Sequence, residues 1–317
     1  MNKRIGLVEK TANPFYKLNK KEESMQKGLI ISNVSNLYKV KFGEKIIQCK
    51  PKGKMKHNET TPVVGDIVEI ELIENEQNKG IICDIEDRKM YSKRPRMANL
   101  TQIIFVLSLK SPKPDLLLLD KQLVYAEYLK IKPIICVNKV DIGKIEVLEK
   151  IHKIYEKIGY TVIDTVAKEN IGIEKIKELL KGNITAFSGN SGVGKSTLIN
   201  SIFGGNKTQE GNISEKNQKG KNTTTAITLY EINEGYIADT PGFSTFSVEE
   251  VESKELSNYF REFKKYLNDC KYLDCRHIKE DDCGIKIALE EGNISNERYE
   301  NYVKIYKELK DKEEHKW

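Results

Sequence analysis

Residues Gly189-Asn190-Ser191-Gly192-Val193-Gly194-Lys195-Ser196 place glycines, a lysine and a hydroxyl at the spacing GxxxxGK(S/T). That spacing suits a polyphosphate. The glycines let successive backbone N–H groups turn inward around the α and β phosphates, and a following helix N-terminus adds partial positive charge. Lys195 can then reach the β and γ phosphates while the Ser196 hydroxyl ligates the Mg²⁺ that accompanies a nucleoside triphosphate. The apolar run ITAFS precedes the motif, and Thr197-Leu198-Ile199-Asn200-Ser201-Ile202-Phe203 reads as the helix that it opens.

A second box, Asn138-Lys139-Val140-Asp141, follows the apolar run PIICV, at a strand end of the kind where open α/β sheets bind ligands. The Asp141 carboxylate can accept from guanine N1–H and the 2-amino group. Adenine has neither donor, so the pairing selects GTP over ATP. In isolation the four residues would also suit a helix start capped by Asp141; beside a phosphate loop they point to a guanine nucleotide.

A third box, Asp239-Thr240-Pro241-Gly242, ends the run Tyr236-Ile237-Ala238. Asp239 is placed to hold the Mg²⁺ shell, and a Gly242 N–H can approach the γ phosphate without a Cβ in the way. Between this box and the phosphate loop lies a Gly-, Asn- and Lys-rich stretch ending at Gly220-Lys221-Asn222-Thr223-Thr224-Thr225. It has little to bury and reads as a switch, with Thr224 and Thr225 both candidates to complete the Mg²⁺ shell. Thr165-Val166-Ala167-Lys168 is the weakest box. Small residues at Val166 and Ala167 can bring a backbone N–H to guanine O6, and an ordinary strand-to-loop turn accounts for them nearly as well. The catalytic set is thus Lys195, Ser196, Thr224, Thr225, Asp239 and Gly242. Nucleotide binding falls to Asn138, Lys139, Asp141, Val166, Ala167 and 189–197.

The order of the boxes is permuted. A conventional GTPase runs phosphate loop, first switch, DxxG, NKxD and then the small-residue box, whereas here NKxD and the small-residue box come first. Compact domains tolerate such rejoining where the old termini lie close together.

Cys270, Cys275, His277 and Cys283 form C-x4-C-x-H-x5-C, a Cys₃His set suited to one tetrahedral Zn²⁺ with no open position, hence structural. The dispersed Cys49, Cys83 and Cys136 read as small core residues.

The elements that must position these groups follow from periodicity. Short β-like runs LIIS, YKVKF, KIIQC, DIVEIEL and GIICDI are punctuated by Gly43, Gly65 and Gly80, which predicts a small antiparallel barrel of the OB type with a face for RNA. Beyond Lys93-Arg94-Pro95-Arg96 strands alternate with helices: QIIFVLSL, DLLLLDKQLVYAEYL, PIICV, a helix with Val147, Leu148, Ile151, Ile154, Tyr155 and Ile158 on one face and Gly159 at its end, then TVIDT, IEKIKELL and ITAFS. That alternation predicts a parallel sheet covered on both faces. From about Glu249 the sequence reads as helical, with Tyr299, Tyr302, Val303, Tyr306 and Leu309 on one face as core rather than an RNA platform. The expected division is a basic extension over 1–25, a barrel over 26–95, a permuted GTPase domain over 96–248 and a helical zinc-binding domain over 249–317.

Bulk properties agree. The 317 residues are 38% hydrophobic and 32% charged, without a run of about 18 apolar residues or a secretory h-region; the expectation is a cytoplasmic protein with no membrane partner. The net charge of +6 is unevenly spread: residues 1–57 hold 14 Lys and Arg against 4 Asp and Glu. A basic N-terminal region is the usual footprint of a nucleic-acid partner, although a solvated lysine-rich face fits the charge equally well. No heptad or dimer seam stands out, so a monomer is expected.

Taken together, NKVD ahead of GNSGVGKST, GKNTTT, DTPGF and the cysteine cluster, with GDIVEI at 65–70 and YSKRP at 91–95, resemble the ribosome small subunit-dependent GTPase A family from about Gly28 to Leu309. The resemblance implies an OB barrel, a permuted GTPase domain and a zinc module. It also implies docking on the small ribosomal subunit and its rRNA late in maturation, with the subunit stimulating GTP hydrolysis to GDP. Two positions depart from usual patterns. Phe243 stands where many GTPases have a water-orienting glutamine, so low intrinsic turnover is expected. Asn222 stands where family members often carry histidine, and an amide is a poor general base.

Overall fold

A computed structural model of the chain describes residues 26–53, 61–204, 227–239 and 248–315. They form two compact units, one ending at Asp87 and the other starting at Arg88.

The first unit is a closed barrel of β1 (Gln26–Val34), β2 (Leu37–Phe42), β3 (Lys45–Pro51), β4 (Ile67–Leu72) and β5 (Lys79–Ile85). The strands run in the order β1-β2-β3-β5-β4, and β1 pairs back with β4. The β3–β5 pair is parallel and the others antiparallel, which is the OB arrangement. Period-two alternation creates its core: Val40, Ile47, Cys49, Val68, Ile70 and Ile82 are buried, while Lys45, Lys50 and Lys52 stay exposed. Closure leaves no open edge to template aggregation. Cys83, read as core, is only half-buried and its thiol faces the Glu71 carboxylate at 3.7 Å.

The second unit opens with a hairpin, β6 (Tyr91–Lys93) and β7 (Arg96–Ala98), which the division at Asp87 groups here rather than with the barrel. Its sheet comprises β8 (Gln102–Ser108), β9 (Lys132–Asn138), β10 (Thr161–Thr165), β11 (Ile184–Ser188), β12 (Thr228–Ile232) and β13 (Gly235–Asp239). They lie in the order β10-β9-β8-β11-β13-β12, parallel except for β12. Strands β8 and β11 are buried along their whole length, as a sheet covered on both faces requires. The covering helices are α1 (Leu116–Tyr128), α2 (Ile145–Tyr155), α3 (Ile173–Leu180) and α4 (Lys195–Ile202). Ile176, Leu180, Leu198 and Ile202 pack with Ile104, Val106, Ile134 and Ile237 in one core. Gly159, at φ +84°, terminates the turn after α2 and donates its N–H to Glu156 O.

The C-terminal part differs from the continuous helical reading. Short 3₁₀ turns at Ser253–Tyr259, Phe263–Lys265 and Leu267–Asp269 precede α5 (Gly284–Glu290) and α6 (Asn296–Glu314). The ligand-bearing loop 270–283, between the last of these turns and α5, has no repeating apolar face to sustain a helix. At Gly284 a Cβ would sit 2.5 Å from Tyr266 O, so only glycine allows that close approach. Tyr302 and Leu309 are buried, with Tyr302 tilted against Phe263 at 4.9 Å: this face of α6 is core.

The module is joined to the nucleotide sheet by a buried polar knot. Arg298 of α6 donates to Asp120 of α1 at 2.5 Å and to Glu262 at 2.6 and 3.1 Å. Asn301 and Tyr155 of α2 also donate to Asp120, at 2.7 and 2.8 Å. Burial pulls the guanidinium pKa down, and the Asp120 and Glu262 carboxylates outweigh it, so Arg298 stays charged, well above its ordinary value. Among the described residues no helix is long and apolar enough to cross a membrane.

Candidate functional site

The parallel strands present their C-terminal ends along one rim. Asn138 at the end of β9 pairs in register with Ser108 of β8 and Thr165 of β10, while β11 delivers Ser188 and the phosphate loop. Next to β11, β13 ends at half-buried Asp239. Boxes far apart in sequence therefore share one edge of the sheet.

The loop itself is built around backbone. Gly189 adopts φ +144°, and a Cβ there would stand 2.2 Å from Val106 O. Gly194 adopts φ +100°, where a Cβ would stand 2.3 Å from the Asn138 Nδ2. Val193 is buried and pins the loop into the core. Lys195, the first residue of α4, donates from Nζ to the carbonyls of Gly189 at 2.7 Å and Asn190 at 2.8 Å. Its ammonium spans the loop, and burial lowers its pKa. Ser191, Gly192 and Ser196 are exposed and Asn190 and Thr197 half-buried, leaving the cradle open to a ligand. These features suit a bound polyphosphate.

Asn138 ties three boxes together. Its Nδ2 donates to Val193 O at 2.9 Å, and its Oδ1 accepts from Thr165 Oγ1 and Ala167 N–H, both at 3.1 Å. Lys139, at φ +61°, extends Nζ to Gly192 O at 2.7 Å and Ser111 O at 2.5 Å. Asp141 follows on an exposed 3₁₀ turn, Val140–Ile142. Val166 and Ala167 are buried. The Ala167 N–H is engaged by Asn138, and the Ala167 carbonyl accepts from Ser201 Oγ at 2.7 Å. The box residues Thr224, Thr225 and Gly242, together with Asn222 and Phe243, lie outside the described residues.

Sequence reasoning missed Ser201 and the loop after β8. Ser108 Oγ donates to Ser111 O, Asp115 caps α1 at the Leu118 N–H, and Gln122 of α1 donates to Ser188 Oγ. Lys113, Asp115, Gly189 and Asn190 line one cleft. Nothing in the residue types singles these out; they matter because the fold sets them beside the phosphate loop.

Cys270, Cys275, His277 and Cys283 offer ligand atoms all within 4.8 Å of one another. Cys270 Sγ lies 3.5 Å and Cys283 Sγ 3.4 Å from His277 Nδ1, and the two sulfurs are 4.0 Å apart. A tetrahedral ion at ordinary Zn–S and Zn–N lengths needs roughly 3.8 Å between sulfurs and roughly 3.5 Å between sulfur and nitrogen, so the set can hold a metal. Burial lowers the His277 pKa, favouring the neutral ring a ligand requires, and pushes the Cys275 thiol up to about 12. Thiolates in such a place call for a cation. The outer shell is ordered as well: Tyr299 OH donates to His277 O at 2.8 Å, and Phe263 meets the imidazole edge-on.

Comparison with known proteins gives concordant matches. The RsgA GTPase family model matches residues 85–249 and the RsgA N-terminal domain model residues 27–82. A small ribosomal subunit biogenesis GTPase RsgA from Alkaliphilus metalliredigens is 40% identical, over 90% of this chain and 98% of its own length. The protein of that name from Clostridium botulinum strain Eklund 17B is 43% identical, over 92% of this chain and all of its own length. Among solved structures, YjeQ from Thermotoga maritima superposes with a TM-score of 0.79 at 35% identity, covering 90% of this chain and 98% of that one. YloQ, described as a circularly permuted GTPase, gives 0.78 at 32% identity, covering 93% and 98%.

Proposed function

The chain belongs to the RsgA GTPase family, and from that premise we propose that it hydrolyses GTP to GDP and phosphate as a nucleotide-dependent switch in late maturation of the small ribosomal subunit, binding rRNA and stimulated by the subunit. The observation that carries the reading is the Asn138 junction, which holds NKVD and the 165–168 turn against the phosphate loop. In this reading Asp141 receives guanine, a backbone N–H of the 165–168 turn meets O6, and Gly189 to Thr197 enclose the phosphates. Val166 and Ala167 shape that turn, their own N–H groups being held by Ile171 O and Asn138. Ser196, Asp239 and Thr224 or Thr225 surround Mg²⁺, which would neutralise charge on the β and γ oxygens, and the Gly242 N–H meets the γ phosphate. The domain reading of 26–95, 96–248 and 249–317 assigns RNA to the barrel, GTP to the centre and metal to the end. Exposed Lys45, Lys50 and Lys52 on the barrel support the RNA assignment. The chain acts as a cytoplasmic monomer.

Phe243 brings no group that could orient water, so catalysis waits for the partner. Purified small subunits are expected to raise the GTPase rate on the order of a hundredfold, the size of one completed transition-state contact. The gain should shrink at higher salt as phosphate contacts weaken. Equal rates with and without subunits, at both of two salt concentrations, would overturn the reading.

For the metal, the same reading gives one structural Zn²⁺ per chain, held by Cys270, Cys275, His277 and Cys283. Cys283→Ala is expected to lose the ion by native mass spectrometry and to speed hydrogen exchange through α5 and α6. A variant that keeps a full equivalent of zinc would remove Cys283 from the ligand set.

A further inference from the structure

Between Cys270 and Cys275 the chain offers apolar side chains to solvent: Leu273 is fully exposed, at 110%, and Tyr272 is 50% exposed. One exposed leucine is ordinary, but this one has an unusual setting. The loop is tied down on both sides. Lys271 N–H donates to Asp282 O at 3.1 Å, and its Nζ reaches Asp282 Oδ2 at 2.7 Å. The same ammonium lies 5.6 Å from the Tyr272 ring centroid, and Cys275 N–H closes the turn on Tyr272 O. Leu273 is therefore held out by a cross-braced turn, and little ordering entropy is left to lose on docking.

The surroundings define the partner. Residues 269–283 carry five acidic side chains against three basic ones. Asp269, Asp274, Asp281 and Asp282 are exposed. Of the bases, Lys271 is paired with Asp282, Arg276 turns a guanidinium nitrogen to Lys254 O at 3.2 Å, and Lys279 is exposed, one cation against the exposed Asp269, Asp274 and Asp281. A phosphodiester backbone would meet carboxylates here, the reverse of the lysine-rich N-terminal region. A basic protein surface would find charge complementarity around a preformed apolar projection.

We propose that the Tyr272–Leu273 turn is a docking peg for a basic protein partner that offers an apolar socket. This rests on the reading of the chain as a factor that binds the small ribosomal subunit, and the partner is then a protein component of that subunit. RNA contact stays with the basic barrel.

The test uses the full chain with a non-hydrolysable GTP analogue and purified small subunits. With a photoreactive benzoylphenylalanine in place of Leu273, the expected adduct joins the chain to a basic protein of the subunit. Adducts only to RNA, or no adduct while the chain still sediments with subunits, would overturn the proposal. In parallel, a Tyr272→Ser, Leu273→Ser double variant is expected to bind subunits roughly 10- to 100-fold more weakly, as for loss of an interface anchor. Its zinc content and GTP affinity should be unchanged, because both side chains are exposed and neither belongs to the Cys270, Cys275, His277 and Cys283 set or to the nucleotide boxes. Parental subunit affinity in that variant would count equally against the peg. If the unaltered chain fails to sediment with subunits, the subunit-binding reading itself falls, and this inference falls with it.

Discussion

Asp141→Asn is expected to weaken GTP binding by about 10²- to 10⁴-fold and to make xanthosine triphosphate the preferred nucleotide. Guanine offers two donors, N1–H and the 2-amino group, and a carboxylate accepts both. A carboxamide turns one of its acceptors into a donor, which opposes the 2-amino group. Xanthine carries oxygen at that position and accepts from the new amide instead. The backbone that carries residue 141 is held independently of its side chain, by the Lys139 bonds to Gly192 and Ser111 and by the Asn138 junction. Asp141 is exposed and outside the core, so the variant should melt at the parental temperature. Titration with fluorescent GTP and XTP reads the switch directly. A variant that keeps the parental preference for GTP would remove Asp141 from base recognition and leave the NKVD box without its defining contact.

The parts of this site that were legible in sequence are those whose chemistry is local. GNSGVGKST declares itself because strand, glycine turn and helix are contiguous, and α3 and β11 coincide with the runs IEKIKELL and ITAFS. The barrel was readable for a similar reason, since alternation along each strand is a short-range signal. What escaped notice is relational. Asn138 looks like a base-recognition residue, yet its amide is engaged by Val193, Thr165 and Ala167, partners that only the sheet order brings within reach. Ser201 is one hydroxyl on a polar helix face until β10 places Ala167 opposite it. In α6, hydropathy picks out the tyrosines and consigns Arg298 and Asn301 to solvent, whereas both are buried. A rule that sorts residues by polarity cannot find a charge whose counter-charges, Asp120 and Glu262, lie 178 and 36 positions away.

That buried charge supports the second large effect. Arg298→Met should cost about 3–5 kcal/mol of stability, because it strands two carboxylates rather than merely losing contacts. Arg298 and Asp120 are 1% and 0% exposed and Glu262 is 3% exposed, so water cannot take over the lost partner. The packing change is modest by comparison: methionine can still lie against the Phe260 ring, over which the guanidinium sits at 4.4 Å. Charge and shape can therefore be separated. If desolvated carboxylates are the cause, adding Asp120→Asn and Glu262→Gln to Arg298→Met should recover a large share of the loss, while either change alone in the parental background should destabilise. If packing is the cause, the triple variant should be no better than the single. Urea unfolding of the full chain, with hydrogen exchange in α6 as a local reporter, distinguishes the two, and Arg298→Met within about 1 kcal/mol of the parent would dismiss the knot as a stabilising element. The consequence should also reach the nucleotide half. Asp120 belongs to the helix that Asp115 caps and from which Gln122 reaches Ser188, the residue before the phosphate loop. One helix thus touches the loop through Gln122 and the C-terminal module through Asp120, so loosening the knot should raise exchange in α1 as well as in α6.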